Sequence, residues 1–187
     1  MKQFTILVDM DDTIEDLCSA WVGYLNDTYG TSVSADDITE WDMTRFFPTL
    51  SSKQVYGALL KKKLWERVKP LPGAAEFLEQ LIVDGHEVVI VTASHPHTVG
   101  VKLNNVLFRY FPFFTQKDVI VASKKQLVLG DIMIDDAPHN LIGGRYQGFL
   151  MTAPHNRNYD AEANGFIRVS SWPQIYQIIR RMAEGKE

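Results

Sequence analysis

Cysteine is nearly absent: Cys18 is the only one, so no disulfide can form within the chain, which suits a reducing compartment. An excess of positive charge is missing too. The formal net charge of −4 argues against a binder of nucleic-acid polymers, which carries a basic face. A small phosphorylated ligand is not excluded, because a local positive site need not show in the total. No stretch approaches the roughly 18 apolar residues that a membrane span requires. Met1-Lys2-Gln3-Phe4 runs straight into a strand-like segment without the apolar core of a leader peptide, so the expected location is the cytoplasm. Repeats, low-complexity tracts and long linkers are lacking as well. What is present is an ordinary globular balance, 45% hydrophobic and 22% charged. The 187 residues suffice for one compact domain with a modest insertion.

Short apolar runs alternate with helical patterns. Residues 4–8, 87–91, 118–121, 132–134 and 149–151 read as strands. Ala75, Phe77, Leu78, Leu81 and Ile82 recur at helical spacing, as do Ile175, Ile178, Ile179 and Met182. Ser171 with Gln174 three residues on is a capping-box pattern. This alternation implies an α/β fold with a parallel sheet and helices on both faces. The stretch 30–70 breaks the pattern with Trp41, Phe46, Phe47, Tyr56, Trp65 and the trio Lys61, Lys62, Lys63. It is too long for a normal βα connection. The expected organisation is a core of 1–29 and 71–187 with a small helical cap of about 30–70, the helix from 16 being a candidate member of the cap. Such a cap would lie over the C-terminal edge of the sheet, where open α/β proteins bind ligands.

The carboxylates carry the chemistry. Ile6-Leu7-Val8 ends in Asp9-Met10-Asp11-Asp12-Thr13. Alternate side chains of an extended chain share a face, so Asp9 and Asp11 converge while Asp12 is expected to point elsewhere. Ile132-Met133-Ile134 likewise delivers Asp135-Asp136. Like charges this close call for a cation or a raised pKa, and an all-oxygen donor set suits Mg²⁺. A third strand ends in Thr92-Ala93-Ser94, whose hydroxyls and backbone N–H groups can meet a phosphate. Lys124 and Lys125 follow the run 118–121, and either can neutralise a phosphate. His95, His97, His139 and His155 lack a zinc spacing and read as loop residues, with His95 and His139 near the site rim.

In this order the motifs resemble those of the haloacid dehalogenase-like (HAD) phosphohydrolases, which have a Rossmann-like core: Asp9 to Thr13, then Thr92, a lysine, and Asp135-Asp136. Within that superfamily the chain looks most like the 5′(3′)-deoxyribonucleotidases. Trp41, Pro70-Leu71-Pro72-Gly73-Ala74 and the run Gly130-Asp131-Ile132-Met133-Ile134-Asp135-Asp136 carry that likeness. The family places its lysine six residues before the first Asp of that run, which selects Lys125. Thr92-Ala93-Ser94-His95-Pro96 departs from the animal pattern Thr-Ser-Pro, so the second phosphate contact is either Ser94 or the Ala93 backbone.

The resemblance implies Mg²⁺-dependent hydrolysis of a nucleoside monophosphate through an aspartyl-phosphate. Asp9 is the expected nucleophile and Asp11 the general acid, held protonated. The metal is expected on Asp9, the Asp11 carbonyl and Asp136, with Asp135 adjacent or as the alternative ligand. Phosphate is expected on Thr92 and Lys125, with Trp41 and Phe46 as candidate base-stacking surfaces in the cap. A second copy of the chain is the candidate protein partner. Two rival readings are a broad small-molecule phosphatase or phosphotransferase and an inert nucleotide-binding relative. Retention of both Asp9 and Asp11 disfavours the second.

Overall fold

The computed structural model describes residues 2–186. Six parallel strands form one sheet: β1 (Thr5–Val8), β2 (Glu87–Thr92), β3 (Val119–Val121), β4 (Ile132–Asp135), β5 (Gln147–Met151) and β6 (Ile167–Val169), in the order β3-β2-β1-β4-β5-β6. The strand order reverses between β1 and β4, and the crevice beyond their C-terminal ends is where such sheets bind ligands. The two strand-end acidic clusters therefore face each other across that crevice.

Period-two alternation decides which side chain meets which face. Ile6, Val8, Ile132, Ile134 and Phe149 enter the larger apolar cluster, and Leu7, Val91, Met133 and Leu150 the smaller one. The larger cluster is covered by α1 (Leu17–Tyr29) and by two helices of the expected patterns described below. Gly130 matters to the smaller face, because a Cβ there would stand 2.7 Å from Leu7 Cγ. Only glycine lets the chain entering β4 pass so close to β1.

After α1 the chain turns through α2 (Ser52–Gly57) and α3 (Lys62–Trp65), with short 3-10 turns at Ala35–Asp37, Met43–Phe46 and Ala58–Leu60. The Trp21 indole N–H donates to the Val55 carbonyl at 2.9 Å, fastening this segment to α1. Ile38, Phe47, Val55 and Leu64 share one cluster with Trp21 and Leu25.

Helix α4 (Ala74–Val83) precedes β2. Beyond β2, α5 (Val99–Lys102) widens into a π-helical turn at Leu103–Leu107 and closes with α6 (Phe108–Tyr110). The short α7 (Pro138–Leu141) follows β4, and α8 (Trp172–Glu184) ends the fold. Ser171 caps α8 by accepting from Gln174 N, but the Gln174 side chain returns to Ser170 N rather than to Ser171. The reciprocal half of the expected capping box thus falls one residue early. The Trp172 indole donates to the Thr13 carbonyl at 2.9 Å, tying α8 to the loop after Asp11. β6, absent from the sequence reading, is a three-residue edge strand whose first two residues are only half-buried, so it carries little apolar signal. Among the described residues no helix is long and apolar enough to cross a membrane.

Candidate active site

Asp9 follows β1 directly, its N–H donating to the Ile134 carbonyl at 2.9 Å as the ladder's last rung. Backbone pairing alone therefore sets Asp9 beside the end of β4. The ammonium of Lys125, in a 3-10 turn after β3, lies 2.5 Å from Asp9 Oδ1 and 2.8 Å from Asp135 Oδ2. Lys125 is buried while Lys124 is exposed. Asp135 also accepts from Ala137 N at 2.8 Å and from Asn140 Nδ2 at 3.0 and 3.1 Å. Those bonds occupy Asp135, whereas Asp136 meets only His155 Nε2 at 3.0 Å through its side chain. Oxygens of Asp9, Asp135 and Asp136 lie within 4.8 Å of one another, a spacing that a single hard cation can bridge.

The extended alternation stops at Asp11. Met10 goes to the core and Asp9 and Asp11 to the cavity, but Asp12 turns left-handed at φ +51°. That turn corrects the expectation that Asp12 points elsewhere: its carboxylate accepts from Cys18 N at 2.8 Å and joins the cavity wall. Asp residues visit this backbone region because their short polar side chain bonds locally.

Lys102 of α5 reaches Asp11 Oδ2 at 2.7 Å and Thr92 Oγ1 at 2.7 Å. Glu15, fully buried, adds a further carboxyl close to Asp11. Six carboxyls (Asp9, Asp11, Asp12, Glu15, Asp135, Asp136) thus gather around two ammoniums. They cannot all ionise without a cation.

The protonation pattern follows. Burial lifts Asp9 from 3.8 to about 7, with Lys125 opposing and Asp135 and Asp11 adding to the rise. Burial, then Asp135, raises Asp136, and burial, then Asp11, raises Glu15. Asp12 is raised by burial and by Asp136. Asp11 differs. Burial pushes it up, but the Lys102 ammonium outweighs burial, and it falls below its ordinary value, which favours the carboxylate form in the free protein. Burial pushes the Cys18 thiol, which lines the cavity, up to about 12, favouring its protonated form.

The carboxylates floor a cavity of about 350 Å³, within the usual range for small-molecule sites. Ile38, Met43, Leu59 and Trp21 supply apolar wall, and Trp41 stands edge-on to His139 and His155 at 5.0 and 5.2 Å between ring centres. Trp41 is 60% exposed and lines this cavity. Phe46 lies on neither this wall nor that of the adjoining cavity; it packs against the core, because the 3-10 turn Met43–Phe46 sends Met43 to the cavity instead. Ala93 borders both cavities and Ser94 the adjoining one of about 440 Å³. Thr92 is fully buried, its hydroxyl engaged with Lys102. His95 lines the adjoining cavity, and His139 and His155 the first.

Sequence reasoning missed Lys102, Glu15, Asn140 and the approach of His155 to Asp136. Glu15 had a signal, since it lies in the acidic run that begins at Asp9. Lys102 had none: a lone lysine ten residues beyond Thr92, in a weak helical pattern, reads as solvated.

A doubly wound parallel sheet with a buried aspartate after β1, a lysine-anchored acidic pair after β4 and a hydroxyl-bearing end to β2 defines a HAD-like phosphohydrolase. Residues 3–184 match the family model of "5′ nucleotidase, deoxy (Pyrimidine), cytosolic type C protein", and the chain belongs to that family. It is a hydrolase of phosphoric monoesters. A 5′(3′)-deoxyribonucleotidase of Bacillus subtilis (strain 168) is 34% identical over 171 residues, covering 91% of this chain and 95% of the relative. One from Clostridium acetobutylicum is 30% identical over 172 residues, covering 92% of each. Among solved structures, a HAD family hydrolase from Deinococcus radiodurans R1 with bound phosphate and sodium shares the fold at a TM-score of 0.63 and 15% identity, with 96% of each chain covered.

Proposed function

We propose that the protein is a Mg²⁺-dependent 5′(3′)-deoxyribonucleotidase of the cytoplasm, acting through an aspartyl-phosphate on Asp9. The observation that carries this reading is the buried Asp9, held by Lys125 beside Asp136, at the floor of a cavity walled by Trp41, Trp21 and Met43. A charged floor under an apolar wall suits a phosphomonoester whose leaving group is flat and hydrophobic. The single cysteine and the similar bacterial nucleotidases support the location and the substrate class.

Asp9 attacks phosphorus and expels the nucleoside oxygen, forming an acyl phosphate. Asp11 gives that oxygen a proton, then takes one from the water that releases phosphate. Asp11 is ionised at rest, and the arriving phosphate dianion favours its protonation by like-charge repulsion. Lys125 and Thr92, with either the Ala93 backbone N–H or Ser94 at the end of β2, would hold the phosphoryl oxygens. Asp9, Asp136 and the Asp11 carbonyl would hold Mg²⁺, with Asp135 locking Lys125. The ion would neutralise charge on the transferring group. The segment 30–70 would be the cap that selects the leaving group, with the core in 1–29 and 71–187.

A phosphate-release screen tests the substrate. dUMP and dTMP should turn over faster than UMP, dAMP and simple sugar phosphates, and only with Mg²⁺ present. A flat profile would defeat the nucleotidase assignment.

The metal predicts a pH effect of definite sign. Because Asp9 rises from 3.8 to about 7 on folding, the metal-free folded state holds a proton that the unfolded chain has released across that window. Stability then falls as pH rises from about 4 to about 7, and the raised Asp12, Glu15 and Asp136 act in the same direction. Mg²⁺ must displace these protons. The gain in melting temperature on adding Mg²⁺ should be larger at pH 8 than at pH 5.5. Scanning fluorimetry that found equal gains would contradict the carboxylate site.

A further inference from the structure

Of the buried lysines, Lys125 borders the first cavity, but Lys102 lines neither. Its ammonium is 2.7 Å from Asp11 Oδ2, 2.7 Å from Thr92 Oγ1, and 5.8 Å from the centre of the Trp65 ring. Burying an ammonium costs several kcal/mol, and replacing a whole buried ion pair by apolar side chains of similar volume is often neutral or stabilising. Stability is therefore a weak reason for a lysine here.

The geometry at Asp11 suggests a better one. Oδ1 is sealed from solvent and has no hydrogen-bond partner among the described residues. The side chain is nevertheless 30% exposed, so its open edge lies on the Oδ2 side, where Lys102 holds it. Asp11 borders both cavities, so its carboxyl needs an external hold to keep one oxygen in one place. Lys102 reaches it from α5, directly before the π-helical turn Leu103–Leu107, an irregularity frequent at functional sites.

We propose that Lys102 is a positioning residue: braced against Thr92, it fixes the Asp11 carboxyl by Oδ2 and so orients that carboxyl toward the departing oxygen. The inference rests on the general-acid role of Asp11. Lys102 neither touches the substrate nor transfers a proton. Its loss would misalign the proton donor, which matters for a poor leaving group and little for a good one.

The test is a kinetic comparison of dUMP, a poor leaving group, with p-nitrophenyl phosphate, an activated one. Lys102→Met should lower kcat on dUMP by about tenfold to a hundredfold with KM nearly unchanged, and on the aryl phosphate by no more than about threefold. The double variant Asp11→Asn/Lys102→Met should be no worse on dUMP than Asp11→Asn alone, because both act through one group. Lys102→Gln, which keeps a donor beside Asp11, carries the same comparison where the methionine variant does not fold. Equal losses on both substrates, or losses that multiply in the double variant, would overturn the proposal. If Asp11→Asn shows the leaving-group effect and the Lys102 variants do not, the positioning role alone fails. If Asp11→Asn loses equally on both substrates, the general acid itself is misassigned and the proposal falls with it.

Discussion

Asp9→Asn should release no measurable phosphate from any nucleoside monophosphate, a loss of roughly 10⁴-fold or more. The amide keeps the shape of the carboxylate and can still accept from Lys125, so the substitution removes the nucleophile without opening a cavity. Stability gives an independent check. Asp9 is a buried acid lifted to about 7, so above neutrality the native protein bears the cost of ionising it. A neutral replacement removes that cost, and metal-free Asp9→Asn should melt no lower than the parent at pH 8. An active variant would sink the nucleophile assignment. An inactive variant that melts much lower would show instead that the substitution had damaged the fold.

Lys125→Met should be costly in both respects. The ammonium is 2% exposed and compensates Asp9 at 2.5 Å and Asp135 at 2.8 Å. Removing one partner of a buried ionic cluster typically costs about 3–5 kcal/mol, because the remaining charges stay buried and unpaired. Loss of a positive group from the phosphoryl site should lower kcat by about 10²–10³-fold. Denaturant unfolding and phosphate release measure the two effects. Lys124→Met, one residue away and exposed, should shift stability by no more than about 0.5 kcal/mol. Mg²⁺ should restore part of the stability of Lys125→Met, since it supplies positive charge to the same carboxylates. A Lys125→Met protein as stable as the parent would mean that Asp9 and Asp135 share a proton well enough to dispense with the lysine.

Much of this was legible in sequence for a physical reason. Parallel strands buried on both faces must be continuous apolar runs, so Ile6 to Val8 and Ile132 to Ile134 stand out, and the acids directly after them must sit at one sheet edge. The match of the chain to HAD hydrolases and deoxyribonucleotidases then follows from motif order. What escaped was of two kinds. Short edge elements such as Ile167–Val169 have too few buried positions to show a period. Contacts between distant loops have no spacing at all: Lys102 meets Asp11 across 91 positions, and His155 meets Asp136 from a loop beyond β5. The aromatic segment was ambiguous in the same way. Composition could not say that Trp41 would face the cavity and Phe46 the core, because a 3-10 turn of four residues decided it.

The hydrogen bond from Trp172 to Thr13 joins residues 159 positions apart. During synthesis, a chain that has not yet reached residue 172 already contains every acid and lysine of the site. It still lacks the helix that pins the loop between Asp11 and α1. Without α8 that loop would lose its tie to the far end of the chain.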